Sequence, residues 1–133
     1  MEAKAKTVLL VDDDIDFLTQ MQMQLEAAGF EVTTAASQAE AEELLEKMKP
    51  DLAIVDLMME NMDGGFVLCH RIKKLDENIP VIMATAVSSE TGLEFDRATD
   101  DERSWLKADA LLTKPVRFEQ LMGEIERLTK RAD

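Results

Sequence analysis

Residues able to bind a metal ion or a phosphoryl group stand at the ends of four short apolar runs. Val8-Leu9-Leu10-Val11 leads into Asp12-Asp13-Asp14, and Leu52-Ala53-Ile54-Val55 into Asp56. Val81-Ile82-Met83-Ala84 ends in Thr85, and Ala110-Leu111-Leu112-Thr113 in Lys114, followed by Pro115. Together they offer carboxylates, a hydroxyl and an ammonium, the set used in metal-assisted phosphoryl chemistry. Two carboxylates about 4 Å apart repel by roughly 4 kcal/mol at an effective dielectric near 20, so three in one pocket need a cation among them. Mg²⁺ (or Mn²⁺) suits such oxygen ligands, keeping waters and a phosphate beside one or two carboxylates. Lys114 supplies a positive charge and Thr85 a donor for negative charge developing on phosphoryl oxygens. Asp56, alone at its strand end, is placed to attack phosphorus as a carboxylate nucleophile.

These residues are far apart in the chain, so a fold must gather them. The apolar runs read as strands buried on both faces, the signature of a parallel sheet. A fifth run, Glu31 to Thr34, has no polar ending. Helical patterns lie between the strands. Asp14 or Asp16 can cap a first helix with the stripe Leu18, Met21, Leu25 and Ala28, closed by Gly29. Ser37 and Glu40 form a capping box for a second, which turns Ala41, Leu44, Leu45 and Met48 inward before Pro50 breaks it. A third spans about Phe66 to Lys74, and Phe118, Leu121, Met122, Ile125 and Leu128 mark a last. The alternation predicts an α/β, flavodoxin-like (βα)5 doubly wound parallel sheet in the order 2-1-3-4-5. That order sets strands one and three side by side, and ligands bind outside the carboxyl ends of such strands. Asp12, Asp13 and Asp56 should therefore meet.

Residues 1–133 are expected to form a single domain, with 1–6 as a short lead-in. Residues 87–109 read as an extended connection after the fourth strand plus one helix, with Trp105 packed over the sheet edge. Net charge is −13 with a pI near 4.4, which leaves no basic face for a phosphate backbone and argues against direct DNA binding. Cys69 is the only cysteine and no segment could span a bilayer, so a cytoplasmic location is expected. Arg71-Ile72-Lys73-Lys74 and Lys130-Arg131 read as helix C-terminal charges, and His70 as a structural surface or half-buried residue. An EF-hand reading of Asp12-x-Asp14-x-Asp16 fails, because Phe17 takes the glycine position and Met23 that of the bidentate Glu.

The chain resembles the receiver domain of two-component response regulators from Thr7 to about Lys130. Val11-Asp12-Asp13, Asp56, Met62-Asp63-Gly64, Thr85-Ala86 and Lys114-Pro115 all fall in family order. The resemblance implies that Asp56 is the phosphoacceptor. It implies that Asp13, Asp56 and the backbone carbonyl of Met58 bind Mg²⁺, with Asp12 acting mainly through water. Lys114 would pair with the phosphoryl group or the acids. Thr85 would move onto the new phosphoryl oxygen and signal to the surface of the fourth helix, fifth strand and fifth helix. The donor would be a sensor histidine kinase or a phosphotransfer protein, and the output an unknown downstream protein. No membrane partner is expected, and a phosphorylation-dependent dimer is left open. Because the chain ends with its fifth helix, the expectation is a standalone switch without a fused output domain. It would be no enzyme in the ordinary sense, only a phosphoacceptor assisting its own phosphorylation and dephosphorylation.

Four departures from the family pattern stand out. Glu60 replaces the usual Pro, and Leu111 the aromatic residue that normally swings with Thr85. Met58 and Val87 occupy positions that set dephosphorylation rate, and their apolar side chains give an attacking water no partner. The stretch from Thr85 to Lys114 is several residues longer than usual. The alternative function is a small haloacid-dehalogenase-like phosphatase using Asp12 as nucleophile. Against it, Asp16 stands where Thr or Val is expected, and no second acidic metal motif follows Lys114.

Overall fold

The structure, a computed structural model, describes residues 6–56, 64–85, 109–113 and 116–130. Five parallel strands form one sheet: β1 (Thr7–Val11), β2 (Glu31–Ala35), β3 (Leu52–Asp56), β4 (Val81–Thr85) and β5 (Ala110–Thr113). Their order is β2-β1-β3-β4-β5, as expected for a flavodoxin-like sheet. Successive side chains along each strand point to opposite faces of the sheet, so each strand contributes to two cores. Leu9, Val11, Ala53, Val55, Val81 and Met83 point to one, and Val8, Leu10, Leu52, Ile54, Ile82 and Leu112 to the other. Helices α2 (Gln38–Lys47) and α3 (Gly64–Leu75) cover the first face through Ala41, Leu45, Leu68, Cys69 and Ile72. Helix α1 (Ile15–Ala27) and the final helix (Phe118–Lys130) cover the second through Leu18, Met21, Leu25, Leu121, Ile125 and Leu128. Each fully buried aliphatic side chain contributes about 1.5–3 kcal/mol, which is why the two-sided burial dominates the fold.

Local chemistry sets the helix ends. Asp14 caps α1, its side chain accepting from the N–H groups of Asp16 at 3.1 Å and Phe17 at 3.3 Å. The helix closes in a Schellman turn. Phe30 N–H donates to Leu25 O at 3.1 Å and Gly29 N–H to Glu26 O at 3.0 Å, with Gly29 at φ 103°. That turn corrects the expected stripe: Ala28 is the exposed C-cap and not an inward residue. Ser37 caps α2 by accepting from Glu40 N–H at 3.1 Å, while the Glu40 carboxylate reaches back to Ala36 N–H at 3.1 Å. Met48 is likewise a correction: it is the extended C-cap of α2 (ψ 155°) and only half-buried, as the chain straightens toward Pro50. Helix α3 begins at Gly64, two residues ahead of Phe66, and runs one residue past Lys74.

At the amino edge of the sheet, two aspartates bracket neighbouring strands. Asp51 N–H donates to Thr7 O at 2.9 Å, and its carboxylate accepts from Thr7 N–H at 2.8 Å. Asp109 repeats the pattern with Val81, both bonds at 2.8 Å, and its Oδ2 also takes Lys73 Nζ at 2.7 Å. Lys73, read from sequence as a helix-end charge, further donates to Ile79 O at 2.7 Å. It therefore ties α3 to both β4 and β5.

Candidate functional site

The site lies at the carboxyl edge, where β1 and β3 are neighbours. Val11 pairs with Val55, so the residues that follow, Asp12 and Asp56, end adjacent strands side by side. Asp12 N–H extends the ladder to Ala35 O at 3.1 Å, which fixes its backbone beyond the end of β1. Its Oδ1 accepts from Asp14 N–H at 2.9 Å, orienting the carboxylate as the chain turns into α1. Asp13 follows in the same turn and is exposed. Asp12 is fully buried and Asp56 is 4% exposed, the two buried charged residues among those described.

One carboxylate oxygen from each of Asp12, Asp13 and Asp56 lies within 4.8 Å of the other two. Three acids drawn from segments more than forty residues apart thus share one small volume. The donor set fits a hard divalent cation, because it is all oxygen and carries more negative charge than an apolar sheet end tolerates unneutralised. Two of the acids sit in low-dielectric surroundings, where mutual repulsion is least screened. The exposed third keeps the pocket open to solvent on one side.

On the other flank, Asp56 pairs with Ala84, and Thr85 follows on β4 opposite Thr113 of β5. The backbone therefore sets Thr85 at the same edge, one strand over from Asp56. Lys114, the next residue after Thr113, lies outside the described residues, as do Met58, Glu60, Met62, Asp63, Val87, Trp105 and most of 87–109. Leu111 is partly buried and packs on the core under α2 and α3. Cys69 is buried in that core, and His70 is exposed on α3.

Residues 8–126 match the response regulator receiver domain. The chain belongs to that family. The receiver is 38% identical over 124 residues to the heme response regulator HssR of Staphylococcus haemolyticus, a match covering 92% of this chain and 51% of that protein. The chain spans about half the length of the curated relatives it matches. It superposes on a CheY-like receiver domain from Methanospirillum hungatei with a TM-score of 0.77 and 29% identity, over 96% of this chain and 97% of the other. It also resembles the response regulator TrrA of Thermotoga maritima, solved in complex with Mg²⁺ and BeF, with a TM-score of 0.74 and 25% identity over 92% and 98%. Receivers are the phosphoacceptors of phosphorylation-dependent two-component signalling, and this chain is one of them. That membership sets aside the phosphatase reading of Asp12. Among the described residues, no helix is long and apolar enough to cross a membrane.

Proposed function

We propose that this receiver takes a phosphoryl group onto Asp56 from a histidine kinase or phosphotransfer protein, in a reaction that requires Mg²⁺ or Mn²⁺. The single observation behind this reading is the convergence of Asp12, Asp13 and Asp56 within 4.8 Å at the ends of β1 and β3. A carboxylate oxygen of Asp56 attacks phosphorus, and the bond from phosphorus to the donor nitrogen breaks, the electron pair leaving with the donor. The product is an aspartyl phosphate. Asp13, Asp56 and the Met58 carbonyl would hold the cation directly, and Asp12 mainly through water. Bound there, the ion neutralises the acids and the charge that builds on the transferred oxygens. Lys114 would offset the same charge from the β5 side, and Thr85 would donate to the new phosphoryl oxygen.

Output follows from a two-state surface biased by the phosphoryl group toward a partner protein. Leu111 in place of an aromatic residue means that coupling to Thr85 would run without a ring swing. Hydrolysis returns the carboxylate when water attacks phosphorus and inorganic phosphate leaves. With Met58 and Val87 offering that water no hydrogen bond, the phosphoryl group should be long-lived, and a half-life of seconds after donor removal would count against this. The decisive test is a phosphate-affinity gel after incubation with acetyl phosphate and Mg²⁺. A shifted band for the wild type, absent in Asp56→Asn and with excess chelator, is expected. An equal shift in Asp56→Asn would place the acceptor elsewhere.

A further inference from the structure

Helices α2 and α3 pack side by side and run parallel, since each descends from the carboxyl edge of the sheet. Beside the groove between them their charges are opposite, although α2 also ends in the exposed Lys47. Glu43 and Glu46 are exposed on α2, and Arg71 and Lys74 on α3. None of the four is in an ion pair among the described residues. Glu46, Arg71 and Lys74 line a shallow groove between the helices, with Leu45 and Leu75 as its apolar part. Leu75 is 44% exposed and Val67 41%, two of the four large apolar side chains exposed among the described residues. Val67, Arg71 and Leu75 lie four apart, on one ridge of α3. The two acids and two bases thus balance, and the groove they flank is apolar in patches, acidic on one side and basic on the other. The chain as a whole carries −13, so most other faces of two copies repel.

A two-fold axis lying along the groove would set α2 of one copy over α3 of the other, at the same height along the helices. Glu43 and Glu46 of each copy would then meet Arg71 and Lys74 of its mate, while Val67 and Leu75 cover one another's grooves. An isologous interface demands this kind of self-complementarity. We propose that the α2–α3 face is a homodimer interface whose occupant is a second copy of this chain, formed without any phosphoryl donor.

The test is sedimentation equilibrium of the full chain, alone and as charge-swapped pairs. Wild type should dimerise with concentration and dissociate as salt rises. Arg71→Glu/Lys74→Glu sets acid against acid, and Glu43→Lys/Glu46→Lys sets base against base, so each alone should dimerise about tenfold more weakly or worse. Mixed in equal amounts they should pair, since both new contacts are complementary, and this recovery also certifies that both variants fold. The second pair lowers the chain's net negative charge, so general repulsion alone would make it associate more tightly, the opposite of what the interface requires. A wild type that stays monomeric at every concentration overturns the proposal and leaves the face to another protein. Two natively folded variants that fail to pair when mixed, or that dimerise as the wild type does, overturn it as well.

Discussion

Substituting Asp13→Asn probes the acidic cluster without disturbing a buried group. Asp13 is exposed, and one of its oxygens lies within 4.8 Å of oxygens on Asp12 and Asp56. Two charges at that distance in a water-like dielectric repel by about 0.9 kcal/mol, and screening at physiological salt roughly halves this. Removing Asp13 from both pairs should therefore relieve about 1 kcal/mol. The nearby N-terminus of α1 favours negative charge, so its dipole takes back about 0.3 kcal/mol. The net gain, about 0.7 kcal/mol, raises the melting temperature by roughly 2–3 °C in a chain of this length. That holds only in chelator. With Mg²⁺ at about a hundred times its dissociation constant, a bound ion adds about 2.7 kcal/mol to the wild type, whereas the variant should gain far less. Differential scanning fluorimetry with and without Mg²⁺ should thus show the two proteins exchange rank. A variant that melts below the wild type in chelator and keeps the full Mg²⁺ shift would refute the reasoning.

Two glycines should respond in opposite directions. A Cβ at Gly123 meets nothing within 4 Å, so Gly123→Ala should stabilise the final helix by roughly 0.5–1 kcal/mol, read as a rise in the urea midpoint with m unchanged. Gly29 sits at φ 103°, so Gly29→Ala should cost about 1–2 kcal/mol on the same assay despite open space around it. Asp109→Ala removes the acceptor of Val81 N–H and the partner of Lys73 and should cost roughly 1–3 kcal/mol in denaturant unfolding. The Asn78 N–H first, and Lys49 second, hold the Asp76 carboxyl below its ordinary value of 3.8. A carboxyl depressed on folding stabilises above its unfolded value and loses that contribution as pH falls through the folded one. Melting curves of Asp76→Asn should therefore lose stability less steeply than the wild type in that acid range.

The sheet and its order were legible because fully buried strands leave unbroken apolar runs, and because parallel crossovers allow few topologies. Asp12, Asp13 and Asp56 could be brought together from sequence for the same reason, since strand order alone decides which ends are neighbours. Helix ends were harder. Ala28 and Met48 continue the apolar period of their helices, but the Schellman turn and the approach to Pro50 end each helix before the period does. The Asp109–Lys73 contact spans 36 residues and carries no local signal, so nothing in the sequence around either residue announces it. The adjacency of an acidic ridge on α2 and a basic one on α3 was hidden likewise, because Arg71 and Lys74 look like ordinary helix-end charges until the neighbouring helix is in place.

The brackets made by Asp51 and Asp109 bear on how any strain at the opposite rim is accommodated. Each holds its neighbour at two points, so sliding one strand along the next would break both bonds at once. Pivoting about that stitched margin breaks neither. Among the aspartates at the far rim, strand tips would therefore yield more readily by tilting than by slipping past one another.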